Sequence, residues 1–174
     1  MIKPSQSDPK HDFQQYTDKA TVLIHAPETR DAVMNLLKPD NPVQCVANAT
    51  VMIMQRLDSA ARAAGIEVQD SIKCFGANSV VRLIVEVGEA GQRFGAFKFD
   101  EAHIELALST AVQDYVKSEV QAGRIDPQRL KVAMDADIRK MPPRQRKEIQ
   151  SAQIRIQQTA RKYNGGQQAQ PVQE

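Results

Sequence analysis

Punctuation, more than bulk composition, constrains this fold. Asn41-Pro42 and Asp126-Pro127 each place a side-chain cap directly before a proline, and Gly65 and Gly123 each close a preceding apolar-periodic run. A capping oxygen satisfies an orphan amide, proline is preset for the first helical turn, and glycine accepts the left-handed exit. Between Asn41 and Gly65 the residues Val46, Ala49, Thr50, Ile53, Met54, Leu57, Ala60, Ala61 and Ala64 recur at helical spacing. The many alanines there allow a neighbouring helix to approach closely. The same logic predicts a helix from Asp100 to Ala122, with Ile104, Ala107, Leu108, Ala111, Tyr115 and Val116 inward, and another after Asp126 carrying Leu130, Met134 and Ile138.

The flanking segments read more simply. Residues 1–12, with Pro4 and Pro9 and little apolar surface, are expected to form an extended arm. A short helix then begins at Phe13 with Tyr16, Ala20, Leu23 and Ile24 on one side. Pro27 opens the next helix, with Glu28 and Asp31 at its positive end and Val33, Leu36 and Leu37 as its buried edge. The stretch from Glu67 to Ala90 contains the β-branched run Ser79–Val87, which could form a buried strand. The spacing of Val68, Ile72, Phe75, Ser79, Val80, Leu83, Ile84 and Val87 favours a helix instead. Residues 88–99 hold three glycines and the segment Phe94-Gly95-Ala96-Phe97-Lys98-Phe99, a loop or short hairpin near 91–99 whose aromatics pin it to the core or face a partner.

With 41% hydrophobic and 25% charged residues the composition is globular, but aromatics are only 5% and tryptophan is absent, so the core must be aliphatic. The resulting expectation is an all-α, compact multi-helix bundle over residues 13–141. A projecting basic amphipathic helix follows at 142–163, then a disordered tail at 164–174. Cys45 and Cys74 lie inside apolar helical patterns without metal-ligand spacing and read as small core residues. The polar N-terminus and the absence of a long apolar run predict a protein that is not secreted and has no membrane span.

The total charge of +2 conceals an asymmetry. Residues 139–163 carry eight basic side chains and one acid, Glu148, a local +7 against −5 for the remainder. On the last helix Ile149, Ala152, Ile156, Ala160 and Tyr163 form one narrow stripe of period near 3.5, suited to packing along one helix of this chain or of a copy. Arg144, Arg146, Lys147, Arg155, Arg161 and Lys162 would contact an acidic partner surface or nucleic acid.

Catalytic and metal chemistry find little support. Asp100 and His103 lie three apart at a helix start, where Asp100 reads as a cap and His103 as a rim residue. His25 sits at a helix junction. Asp135 and Asp137 fall on different helix faces, and Glu86 with Glu89 lacks further ligands. Gly88-x-x-Gly91-x-x-x-Gly95 lacks the order of a phosphate loop. No cofactor, metal or small-molecule substrate is expected.

The segment Asn41-Pro42 through Val46-Ala47-Asn48-Ala49 to Ile53-Met54-Gln55-Arg56-Leu57, the turn Gly123-Arg124-Ile125-Asp126-Pro127 and the Gln/Arg-rich tail together resemble the small helical virion structural proteins of short-tailed bacteriophages, encoded near the portal and ejection proteins. The likeness spans roughly residues 41–141. It implies a multicopy component of the virion, made in the host cytoplasm. Its partners would be its own copies, portal, tail or internal ejection proteins, and packaged DNA, with no chemistry of its own. The second reading is a nucleic-acid-binding accessory protein using the basic helix.

Overall fold

In a computed structural model, residues 9–167 are described, and among them the chain forms seven helices and no strand. These are α1 (Pro9–His25), α2 (Pro27–Leu36), α3 (Pro42–Ala63), α4 (Asp70–Ala90), α5 (Glu101–Gln121), α6 (Pro127–Lys140) and α7 (Pro143–Gln167). The all-α bundle read from the sequence is the fold. α3 and α4 form its middle, with α1 and α2 packed on one side and α5, then α7, on the other.

The caps do what their chemistry requires. Asn41 Oδ1 accepts from the Gln44 amide at 3.4 Å, Asp100 Oδ1 from His103 N–H at 2.9 Å, and Asp126 Oδ1 from Gln128 N–H at 2.9 Å. Gly65 and Gly123 take the positive φ of helix exits, at 70° and 68°. The main apolar cluster joins Tyr16, Ala20 and Ile24 of α1 to Val46 and Ile53 of α3 and to Val80 and Ile84 of α4. A smaller one gathers Met54, Ala77, Tyr115 and Ile125.

Several expectations are corrected. α1 starts at Pro9, so the last four residues of the expected arm are helical; residues 1–8 lie outside the described set. The run at 79–87 is helical, but the buried face of α4 is rotated from the expected one. Gly76, Ala77, Val81 and Val85 are inside, whereas Phe75 is 53% exposed. The reason is Tyr16: its ring lies so close to Gly76 that no side chain fits there, and α1 crosses α4 at that point. The segment 91–99 is a turn and loop without strands, and Phe94, Phe97 and Phe99 pin it to the core.

Ala60 and Ala64, expected to face a neighbouring helix, are exposed at the end of α3, and Leu36 and Met134 are at least one-third exposed. The two free cysteines are half-buried rather than fully internal. The basic helix does not project. It folds back on α5. It also continues through Asn164-Gly165-Gly166 to Gln167, beyond the expected end at Tyr163, while the rest of the expected tail, residues 168–174, lies outside the described set.

Candidate docking helix and the buried ionic cleft

The inner stripe of α7 is occupied by this chain's own body. Ile156, Ala160 and Tyr163 pack against the main core cluster, and Ile149 and Ala152 are half-buried. Beneath Tyr163 lies an aromatic group built by the 94–99 loop. Phe97 stands edge-on to Phe99 (5.1 Å between centroids), to His103 (4.9 Å) and to Tyr163 (6.4 Å). The Tyr163 hydroxyl donates to Asn41 Oδ1 at 3.2 Å, tying the end of α7 to the cap of α3. His103 is therefore more than a rim residue: its Nδ1 lies 2.8 Å from Asp100 Oδ1, and its ring is part of the platform on which α7 sits.

The six basic candidates separate. Arg155 reaches Glu105 of α5 with two nitrogens, Nε at 3.1 Å and Nη2 at 2.5 Å, which holds its guanidinium above its ordinary pKa, and so belongs to the internal seam. Arg144 pairs with Glu148 one turn on, at 3.3 Å. Arg146, Lys147, Arg161 and Lys162 are exposed, and none makes a salt bridge with a carboxylate of the described residues. Lys147 and Arg161 lie seven residues either side of Ile154, so the three share the outward face opposite the stripe. Ile154 is 57% exposed. It stands two residues before Ile156 and so breaks the period of the inner stripe, a local signal of a second face.

A second feature was not anticipated. Asp58 and Glu119 are almost completely buried at the floor of a cleft of about 990 Å³ between the end of α3, the start of α4, the end of α5 and α6. Asp58 Oδ2 accepts a hydrogen bond from the Tyr115 hydroxyl and lies 3.3 Å from Lys73 Nζ, which also reaches Asp70 Oδ1 at 3.0 Å. Arg124 grips Glu119, and Arg62 approaches both acids, at 3.8 and 3.9 Å. The signal was available: Asp58 is four residues after Met54 and Glu119 four after Tyr115, so both continue buried faces.

The charges of this cluster are paired, but Asp58 Oδ1 is buried without a hydrogen-bond partner. Burial opposes the Lys73 charge, but hydrogen bonds to Asp70 and Asp58 carry its pKa above the ordinary value. The Arg124 hydrogen bonds hold Glu119 below the usual carboxylate range. Burial first, then the Asp58 hydrogen bond, raises the Tyr115 phenol, and burial pushes the neighbouring Cys74 thiol up to about 11. At neutral pH these shifts keep Lys73 cationic and Glu119 anionic, and keep the Tyr115 phenol and Cys74 thiol protonated. Among the described residues no three His, Cys, Asp or Glu side chains form a metal-ligand group, and no helix is long and apolar enough to cross a membrane.

The geometry thus defines a helical bundle with a buried ionic cleft and an outward basic face on α7. Comparison with protein-family models, curated proteins and solved structures found no match.

Proposed function

We propose that this chain is a non-enzymatic assembly protein that docks through the outward face of α7. The carrying observation is the division of that helix. Its inner stripe is anchored on α5, whereas Lys147, Arg161 and their neighbours Arg146 and Lys162 are exposed and make no salt bridge with a carboxylate of the described residues. A fixed row of cations costs less entropy to engage than a free tail and favours a partner of opposite charge.

Taken with the phage-like texture of residues 41–141, the favoured role is a multicopy virion component that meets acidic surfaces of portal, tail or ejection proteins. Mass spectrometry of purified particles assembled with the chain present tests the placement, and its absence from particles rejects it. The second reading, a nucleic-acid accessory protein, is favoured by the same cations and separated by salt. Fluorescence anisotropy on duplex DNA should then show affinity falling steeply between low and moderate salt, with the slope reduced by roughly 1 for each cation removed by Lys147→Glu or Arg161→Glu.

A further inference from the structure

An apolar groove of about 670 Å³ lies open between α1 and the end of α3. Its walls include Leu23, Leu57, Ala60, Ala64, Val68 and Ile72, and its edges carry Val22, 73% exposed, and Ile66, 46% exposed. Alanines at the last turns of α3 leave a smooth floor on which another helix can lie at short range, yet no helix of the described residues lies there. Three carboxylates, Asp12, Asp18 and Glu67, stand around it. Lys19 and Arg56 are the cations nearby, Arg56 reaching Thr29 Oγ1 at 2.9 Å, so the formal balance of the lining is −1. The groove is therefore apolar at its base and net acidic at its rim.

The outward face of α7 is its complement in both respects. Ile154 sits centrally, and Lys147 and Arg161 flank it about 10 Å away on either side, at a rise of 1.5 Å per residue. Their long methylene stems can cover apolar surface while the charged heads reach rim carboxylates. The two surfaces cannot meet within one molecule, because α3 and α4 stand between α1 and the α5–α7 pair.

We propose that the α1–α3 groove receives the outward face of α7 from a second copy of the chain, head to tail. This rests on the reading of α7 as the docking element and names its partner as a second copy. Such a contact is heterologous: each copy keeps one groove and one helix face unused, so association proceeds to a ring where the rotation closes and to an open chain where it does not.

Light scattering after size-exclusion chromatography, on the full chain, tests the pairing with two variants that keep the fold. Ile154→Glu spoils the helix face, and Ala60→Arg, at an exposed helical position tolerant of arginine, blocks the groove. The wild type should show a mass that rises with concentration, and each variant alone should run as a monomer. An equimolar mixture should stop at a dimer, because only one intact groove meets one intact helix. A monomeric wild type, a variant that associates like the wild type, or a mixture that stays monomeric overturns the proposal. Circular dichroism confirms folding, and Val22→Arg replaces Ala60→Arg if the latter unfolds. Anisotropy on polyglutamate distinguishes this pairing from the docking reading beneath it. Ala60→Arg should bind the polymer as the wild type does, whereas Lys147→Glu/Arg161→Glu should lose about tenfold. Equal polymer binding by that double variant overturns both.

Discussion

Arg124 holds Glu119 with a two-pronged grip, Nε and Nη2 each 2.7 Å from a different carboxylate oxygen. The pair joins the end of α5 to the turn that launches α6, five residues later. Glu119 is 1% exposed, so its charge has been taken from water and depends on this partner. Arg124 is 44% exposed in its side chain, which screens the pair, and Arg62 remains 3.9 Å away as a weaker substitute. Arg124→Ala should therefore lower stability, by less than the loss of a wholly buried partner would. A fall in the urea midpoint with an unchanged slope checks it.

The same grip gives a pH dependence of defined sign. Glu119 has a folded-state pKa below its unfolded value, chiefly through the Arg124 hydrogen bonds. Its contribution is fully present above the unfolded carboxylate pKa and is lost as pH falls through that value towards the lower folded one. Stability measured by urea unfolding should drop between about pH 5 and 3. Glu119→Gln should flatten that drop while lowering stability at neutral pH. An identical acid profile in the variant would show that other carboxylates carry it.

Tyr115 presents the adjacent case of a neutral donor serving a buried acid. Its hydroxyl donates to Asp58 Oδ2, and both side chains are almost completely excluded from solvent. Tyr115→Phe keeps the ring in the second cluster and removes only the donor, leaving Lys73 as the principal partner of Asp58. The expected loss is about 1–3 kcal/mol. If Asp58→Asn is combined with it, the two effects should fall short of additive, because they remove one interaction.

Gly76 fixes how α1 crosses α4. A Cβ there would lie well inside contact distance of the Tyr16 ring, a rigid group with its own place in the core. Gly76→Ala should destabilise by about 1–3 kcal/mol through overpacking, despite alanine's better helix propensity. Thermal melts of the single variant and of Gly76→Ala with Tyr16→Leu check the mechanism. The smaller side chain should recover part of the loss, and a larger loss in the double variant would refute a clash as the cause.

How far the sequence carried these features depends on where the information sits. Helix starts at Asn41, Asp100 and Asp126 were legible because a cap is a local bond between residues two or three apart. The turn of α4 about its axis was not, since it depends on Tyr16, sixty residues earlier, meeting a glycine. The place of α7 was half legible. Its stripe announced a helix-packing edge, but nothing local distinguished α5 of the same chain from a partner. What decides it is the aromatic platform at Phe97 and His103, the Tyr163 bond to Asn41 and the Glu105–Arg155 pair, fifty residues apart. Asp58 and Glu119 could have been found by extending the apolar faces of α3 and α5 to include charges, which binary patterning discards.

The Glu105–Arg155 pair also makes the attachment of α7 measurable apart from global folding. α6 joins it to the body through the extended Met141 and the Pro142-Pro143 step, and the side chains of Val132 and Met134 on α6 are substantially exposed. α7 can therefore leave α5 without unfolding α1–α5, a local opening of low free energy. Arg155→Glu sets two carboxylates against each other where a salt bridge stood. The helix should open roughly fivefold more often, in the range of a partly exposed pair. Limited trypsin digestion at Arg139 and Lys140 should quicken by that factor, while the urea midpoint of the bundle moves little. Lys147→Glu, on the outward face, should leave the cleavage rate unchanged. Equal acceleration by both variants would mean that the net charge of α7, rather than the contact with Glu105, holds it in place.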